Sequence, residues 1–258
     1  MSLVAERVAR LRLQAEFAAL ARSLDVYYGD PLRDAAMDRL YARFVKVGDL
    51  AFDIGSHVGD RIGAFRRLGA RVVALEPQPL CADAIAAIYA GDAGVALVRS
   101  ACGPTVGSLD LHINSANPTV TTASTAFVSA ADGAGGWEDQ RWDKTITVPV
   151  TTADTLVVAH GHPAFVKIDV EGFEADVLAG LSQPVPALSF EFTTIQRDVA
   201  LQCIARLTQL GFKGFDVALG ESQVMTFERW IDARMMAEHI ANLPHAANSG
   251  DVYATLTV

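Results

Sequence analysis

The chain has 258 residues, of which 51% are hydrophobic and 20% are charged, and its formal net charge is -9. This composition excludes a largely disordered chain, and the acidic balance without a basic patch argues against nucleic acid as a partner. The sequence shows neither an apolar run of about 18 residues nor a signal peptide, which predicts a cytoplasmic protein with no membrane partner.

The first 46 residues predict a helical cap. Apolar residues recur every three to four positions over Leu3–Leu24, which indicates one amphipathic helix. The segment YYGDP at 27–31 breaks this helix, and a second helix is predicted over Leu32–Val45. We expect both helices to pack against a larger domain that spans residues 47–258.

From Leu50 onward, short apolar strands alternate with helices, which is typical of a parallel sheet covered on both faces. The predicted strands are Leu50–Ile54, Arg71–Leu75, Val95–Ser100, Phe165–Val170, Ala187–Phe192, Lys213–Leu219 and Val252–Val258. The predicted helices are Asp60–Leu68, Leu80–Tyr89, Glu174–Leu181 and Asp198–Leu210. The fold class is therefore α/β: a doubly wound, mostly parallel, Rossmann-like sheet of seven strands with a late antiparallel strand beside the sixth.

Two stretches interrupt this alternation. Residues 103–150 begin with a hairpin predicted at Ser108–Ile113 and then become rich in Ser, Thr, Gly and Ala, which favours a lid or binding loop. Residues 221–250 form a second insertion, with a helix predicted around Phe227–Leu243.

The segment Gly48–Asp60 combines a buried strand, a glycine turn and a helix start, which is where doubly wound proteins bind a nucleotide. A dinucleotide fingerprint has a glycine where this chain has Asp53. A carboxylate there repels a pyrophosphate but suits an ammonium and a sulfonium, which favours S-adenosylmethionine over NAD. Gly55 and Gly59 either allow close approach of this ligand or only make the tight turn.

The next two strand ends extend the predicted cofactor site. Glu76 ends its strand at the spacing where an acidic side chain accepts both ribose hydroxyls. Ser100 and Ala101 follow the third predicted strand and lie near the position expected for the adenine. The residues predicted to bind the cofactor are Asp53, Gly55, Ser56, His57, Gly59, Glu76, Pro77, Ser100, Ala101 and Asp169.

Ionisable side chains occupy alternate positions in the segment Phe165–Gly180. Strand alternation puts Lys167, Asp169 and Glu171 on one side, where they are unfavourable unless paired or used in a site. Lys167 is either half of a structural ion pair or a catalytic group. Asp169 lies at the carboxyl end of its strand, where ligands bind, and Glu191 ends the following strand at the same edge.

Four segments, DIGSHVGD, ALEP, VPVTTADTL and FVKIDVEGFEADVLAG, together resemble the FkbM family of methyltransferases. The resemblance covers about Gly48–Phe192, and KIDVEG is its most distinctive part. It implies the class I methyltransferase fold, S-adenosylmethionine as cofactor and O-methylation of a hydroxyl on a small molecule or sugar.

The resemblance also implies roles for individual residues. Asp53, Gly55 and Gly59 match the family's cofactor loop, and Glu76 matches its ribose-binding acid. Asp169 and Glu171 match its signature after the fourth strand. Two positions depart from the pattern: His57 stands in place of an asparagine, and Ala153 in place of a leucine.

A hydroxyl acceptor must be aligned with the methyl group and must lose its proton. Asp169, Glu171 and His57 are candidates for the base, and we assign the catalytic roles to Asp169 near the cofactor and Glu171 toward the acceptor. A Mg²⁺ site is a further possibility for this group of side chains. Its ligands would be Asp169, Glu171 and Glu191, together with His112. Because they are widely separated in sequence, no metal is predicted.

Two other classes of function stay open. A nicotinamide-dependent oxidoreductase would share the sheet and Glu76, although Asp53 and the lack of a recognisable catalytic dyad count against it. A non-catalytic nucleotide-binding scaffold would keep the fold without activity. The acceptor and the oligomeric state are not predicted, and Trp137 and Trp142 either stack on an acceptor or pin their loop to the core.

Overall fold

The structure is a computed structural model that describes residues 2–258, so that Met1 of the predicted cap lies outside it. Within those residues the strands are β1 (Leu50–Ile54), β2 (Arg71–Leu75), β3 (Val95–Val98), β4 (Ala101–Cys102), β5 (Gly107–Ile113), β6 (Lys144–Thr151), β7 (Phe165–Ile168), β8 (Ala187–Thr193), β9 (Gly214–Leu219) and β10 (Ser249–Thr255). The α-helices are α1 (Leu3–Leu11), α2 (Ala21–Tyr28), α3 (Pro31–Tyr41), α4 (Asp60–Arg67), α5 (Pro79–Ile88), α6 (Thr125–Ala131), α7 (Ala153–His160), α8 (Glu174–Ala179), α9 (Arg197–Gln209) and α10 (Ala233–Asn242). None of these helices is long and apolar enough to cross a bilayer.

Seven strands form one sheet in the order β3-β2-β1-β7-β8-β10-β9. Only β10 is antiparallel to its neighbours, between β8 and β9, which confirms the predicted doubly wound α/β fold. Alternate residues of β1 enter two different cores: Phe52 packs in one and Ala51 in the other. The strand order reverses between β1 and β7, so a crevice opens at their carboxyl ends.

The prediction of one helix over Leu3–Leu24 is wrong. Helix α1 ends at Leu11, and a 3₁₀ segment, Ala15–Leu20, leads into α2. The Arg12 side chain donates to the Leu24 carbonyl oxygen at 2.7 Å, so the chain folds back on itself here. Phe17 of this 3₁₀ segment is buried in the same core as Val8 and Leu11 of α1.

The predicted lid stretch contains a second, three-stranded sheet. Strand β6, which was interpreted as loop, pairs antiparallel with β5 and parallel with β4. Trp137 and Trp142 pack edge-on against Phe127, with ring centroids 5.3 and 6.0 Å away. The Trp142 Nε1 donates to the Val120 carbonyl oxygen at 2.8 Å. These contacts favour the interpretation that the two tryptophans pin the loop to the core.

The second insertion also differs from its prediction. Helix α10 begins at Ala233 instead of Phe227, because Ile231 still pairs through its backbone with Phe215 of β9. The Asp232 side chain then accepts the N–H group of Met235 in the first turn and fixes the start of the helix. Strand β10 begins at Ser249, before the predicted Val252.

Candidate functional site

A pocket of ≈ 990 Å³, counting its open mouth, lies at the carboxyl ends of the central strands. The predicted site residues that line it are Asp53, Gly55, Ser56, His57, Glu76, Pro77, Ser100, Ala101, Asp169 and Glu171. Gly59 is not among the residues that line the pocket. Its φ is 85°, and an added Cβ would lie 3.0 Å from the Tyr89 ring. Of the two interpretations of Gly59, the structure favours a role in the turn that starts α4.

The glycine turn after β1 holds three strand ends together. Gly55 has a φ of 83°, and an added Cβ would lie 1.7 Å from the Asp169 carbonyl oxygen. The N–H groups of Gly55 and Ser56 donate to the Leu75 carbonyl oxygen at 3.0 and 2.9 Å. Only a residue without a side chain allows this approach of β1 to β7.

Asp53 presents an unpaired carboxylate oxygen at the pocket. Its exposed fraction is 1%, and Oδ2 has no hydrogen-bond partner among the described residues. Burial, assisted by the charge of Asp60, raises the pKa of Asp53 to about 7. Such a group is unfavourable without a partner, and a cation relieves it. This fits the ammonium or sulfonium of S-adenosylmethionine.

Glu76 has a different environment. Its Oε2 and Oε1 accept the backbone N–H groups of His57 and Gln78, each at 2.8 Å. Burial raises the pKa of Glu76 to about 8, although these hydrogen bonds oppose the shift. Each oxygen keeps a second lone pair, so the fixed carboxylate fits a pair of ribose hydroxyls.

Lys167 proves to be part of an ion pair. It is completely buried, and its Nζ donates to Asp169 Oδ2 at 3.0 Å and to Asp251 Oδ1 at 2.7 Å. Burial alone would raise the pKa of Asp169, but the charges of Lys167 and Arg61 and hydrogen bonds to its carboxylate together lower that pKa. Asp169 is therefore a charged and oriented carboxylate.

The strand alternation predicted through Val170 ends early. Strand β7 stops at Ile168, and Val170, which was expected on the opposite face, lines the pocket. Glu171 adopts a φ of 54°, which turns the chain and keeps its side chain at the pocket. Burial and the charge of Asp169 raise the pKa of both Glu171 and Glu191 well above the usual range.

Two histidines were candidates for chemistry. Burial lowers the pKa of His57 to about 4, so this pocket residue is neutral at pH 7. Its Nε2 lies 3.4 Å from the Thr119 hydroxyl. His112 lies on β5, where its Nδ1 is 3.3 Å from the Thr145 hydroxyl, and it does not join the carboxylates.

Several pocket residues were missed from the sequence. Tyr27 of the cap and Glu221 after β9 line the pocket beside Asp60 and Arg61. Arg33 and Arg61 pair with Asp60 and Glu221 at 2.6–3.1 Å, which ties the cap to the pocket. No sequence pattern marks these residues, because each belongs to an ordinary helix or turn.

Thr119 and Thr121 also line the pocket, and they do fall within the stretch predicted as a binding loop. Two hydrogen bonds hold this part of the loop in place. Gln78 Nε2 donates to the Thr121 hydroxyl at 2.8 Å, and the Thr122 hydroxyl donates to the Glu171 carbonyl oxygen at 2.6 Å. The loop is therefore fixed to both halves of the pocket.

The model of the methyltransferase FkbM domain matches residues 53–213. None of the curated proteins gives a significant match.

Similar solved structures include precorrin-6y C5,15-methyltransferase from Geobacter metallireducens (12% identity, TM-score 0.44, covering 86% of this chain and 87% of that one). Ribosomal protein L11 methylase from Lactobacillus delbrueckii subsp. bulgaricus is similar as well (11% identity, TM-score 0.44, covering 88% of this chain and 79% of that one). An S-adenosylmethionine-dependent O-methyltransferase from Thermotoga maritima is also similar (12% identity, TM-score 0.42, covering 88% of this chain and 66% of that one). Identities this low say nothing about the substrate.

The matched segment spans more than half of the chain and contains all of the predicted cofactor-binding and catalytic residues. It includes the glycine turn, the acid at the end of β2 and the signature after β7. The protein belongs to the FkbM family of methyltransferases, and its cofactor is S-adenosylmethionine.

Proposed function

We propose that the protein transfers a methyl group to a hydroxyl of a small molecule or sugar. The observation that carries this proposal is the composition of a single pocket. One part has Asp53 and Glu76, which suit the charges and the ribose of the cofactor, and the other has Asp169, Glu171 and Glu191. A hydroxyl must give up its proton when it attacks, and carboxylates are suitable acceptors for that proton.

The proposed cofactor contacts follow the strand ends. The bound cofactor supplies a methyl group activated by the positive sulfur. Asp53 binds the ammonium end, Glu76 accepts the ribose hydroxyls, and Ser100 with Ala101 borders the adenine. Gly55 lets the ligand approach the backbone, and the carboxylate of Asp53 discriminates against pyrophosphate.

On the acceptor side, Lys167 keeps Asp169 charged and fixed in position, so Asp169 can orient the hydroxyl toward the methyl group. Glu171 takes the proton. Burial and the charge of Asp169 raise its pKa, so the ionised carboxylate is a stronger base than an exposed one.

Calorimetric titration with S-adenosylmethionine tests the cofactor half. We expect Asp53→Asn and Glu76→Gln each to raise the Kd by roughly 10- to 100-fold, because each removes the charge from a hydrogen-bonding carboxylate. Asp216→Asn is the matched control. Asp216 is likewise a fully buried strand aspartate with an unpartnered Oδ2, but it lies outside the pocket lining.

Unchanged affinity in the Asp53 and Glu76 variants would reject these contacts, as would an equal loss in the Asp216 control. Tight binding of NADH by the wild-type protein would support the oxidoreductase alternative. Turnover is then followed as S-adenosylhomocysteine release with a panel of sugars and phenols. Cofactor binding without turnover on any hydroxyl would favour the scaffold alternative.

A pH titration isolates Glu76. Methylthioadenosine carries the ribose but neither the ammonium nor the sulfonium of the cofactor. The pKa of Glu76 is raised to about 8, and hydroxyls donate to its charged form, so binding must release a proton below that pH. We expect the affinity to rise about tenfold between pH 6 and pH 8 and then to level off. An affinity that is flat with pH in the wild-type protein, or equally steep in Glu76→Gln, would contradict this role.

A further inference from the structure

Two neighbouring strand ends bring together an acidic cluster, which we define as Asp169, Glu171 and Glu191. Each side chain offers one oxygen, and these oxygens lie within 4.8 Å of one another. Ligand oxygens on one hard divalent cation, at about 2.0–2.6 Å from the metal, are separated by roughly 3–5 Å. The spacing of the acidic cluster therefore matches a single such ion.

Two members of the acidic cluster, Glu171 and Glu191, lack within the described part of the chain the N–H donors that nearby buried carboxylates possess. Glu76 and Glu174 each accept two backbone N–H groups. Glu171 is only 8% exposed, yet no N–H or O–H group among residues 2–258 donates to its carboxylate. Glu191 hydrogen-bonds to the carboxyl of Asp169, and two carboxyl groups can do so only when one of them carries a proton. A buried carboxylate without a donor at the pocket calls for a partner that the protein does not supply.

Lys167 does not fill this need. Its Nζ contacts Asp169 and Asp251, and it makes no hydrogen bond to Glu171 or Glu191. One ammonium thus faces four carboxylates and leaves three formal negative charges. Either a divalent cation or bound protons must compensate them.

We propose that the acidic cluster binds one hard divalent cation of the Mg²⁺ class. Each carboxylate gives one oxygen to the ion. The other coordination positions are left to water or to an oxygen of the acceptor. This inference goes beyond the proposed function, since it needs no cofactor, and it departs from the sequence-based expectation of no metal.

Titration of the full chain with Mn²⁺, followed by electron paramagnetic resonance without cofactor, tests the site. We expect one ion per chain with a Kd on the order of 10–100 µM, displaced by Mg²⁺ but not by Na⁺. Glu171→Gln and Glu191→Gln should each weaken binding by about 10- to 100-fold. Saturating Mg²⁺ should also raise the Tm of the wild-type protein, a readout that does not depend on how the variants fold.

Glu174→Gln is the matched control. Glu174 lies in the same turn, and its carboxylate already accepts the N–H groups of Val170 and Gly172. Its loss should change Mn²⁺ affinity by less than about threefold, because it alters the local charge without removing a ligand. An effect as large as that of Glu171→Gln would overturn the ligand assignment.

Absence of a Mn²⁺ site and of a Mg²⁺-dependent Tm shift in the wild-type protein would overturn the proposal and leave protons as the compensation. Calorimetry with S-adenosylmethionine on the same sample separates the two hypotheses. Cofactor binding without Mn²⁺ binding rejects the cation alone. Mn²⁺ binding without cofactor binding supports the cation site and counts against the proposed cofactor contacts.

Discussion

Gly55→Ala should weaken S-adenosylmethionine binding by at least about 100-fold and destabilise the protein by roughly 3 kcal/mol or more. The new Cβ would lie 1.7 Å from the Asp169 carbonyl oxygen, so the end of β1 or of β7 must move. Either movement displaces pocket residues on both sides of the crevice. Calorimetric titration and thermal unfolding measure the two effects, and we expect the Tm to fall by about 6–12 °C.

The variant Gly48→Ala separates the effect of the steric clash at Gly55 from the effect of a left-handed backbone conformation. Gly48 has a φ of 87°, close to the 83° of Gly55, but an added Cβ at Gly48 would meet no atom within 4 Å. We expect it to cost only about 1 kcal/mol, from the left-handed conformation, and to leave cofactor affinity unchanged. If the two variants lose equal stability and equal affinity, the contact between the strand ends has no special importance.

Lys167→Met should reduce the free energy of unfolding by about 3–5 kcal/mol, measured by urea denaturation. The side chain is completely buried and compensates both Asp169 and Asp251. Methionine fills a similar volume, so the loss would come from carboxylates left without a positive partner. The pKa of Asp169 should rise for the same reason.

A second substitution tests this explanation. Adding Asp251→Leu to Lys167→Met removes the buried carboxylate at 2.7 Å from the ammonium, and we expect a large part of the lost stability to return. Asp169 is 30% exposed at its side chain, so water can solvate it when the lysine is gone. A Lys167→Met variant within about 1 kcal/mol of the wild type, or a double variant less stable than the single one, would refute the ion-pair account.

The strands and their ends were predictable because their signals are local. Buried strands β1 and β2 read as short apolar runs, and the turn and acid that follow them occur at fixed spacing. Strand β6 was missed although Ile146, Val148 and Val150 occupy alternate positions along it. The surrounding Ser/Thr/Gly-rich composition outweighed that period-two signal, and its pairing partners lie in separate segments of the chain.

The sequence by itself determined the doubly wound sheet, the glycine turn at Gly55 and the family, because periodicity and short motifs record local geometry. Only the tertiary structure decided the role of Lys167, since its closest partner, Asp251, comes from a strand 84 positions away. It likewise brought Tyr27 to the pocket. Contacts between distant segments depend on how helices and strands pack, and no local pattern specifies which side chains meet there.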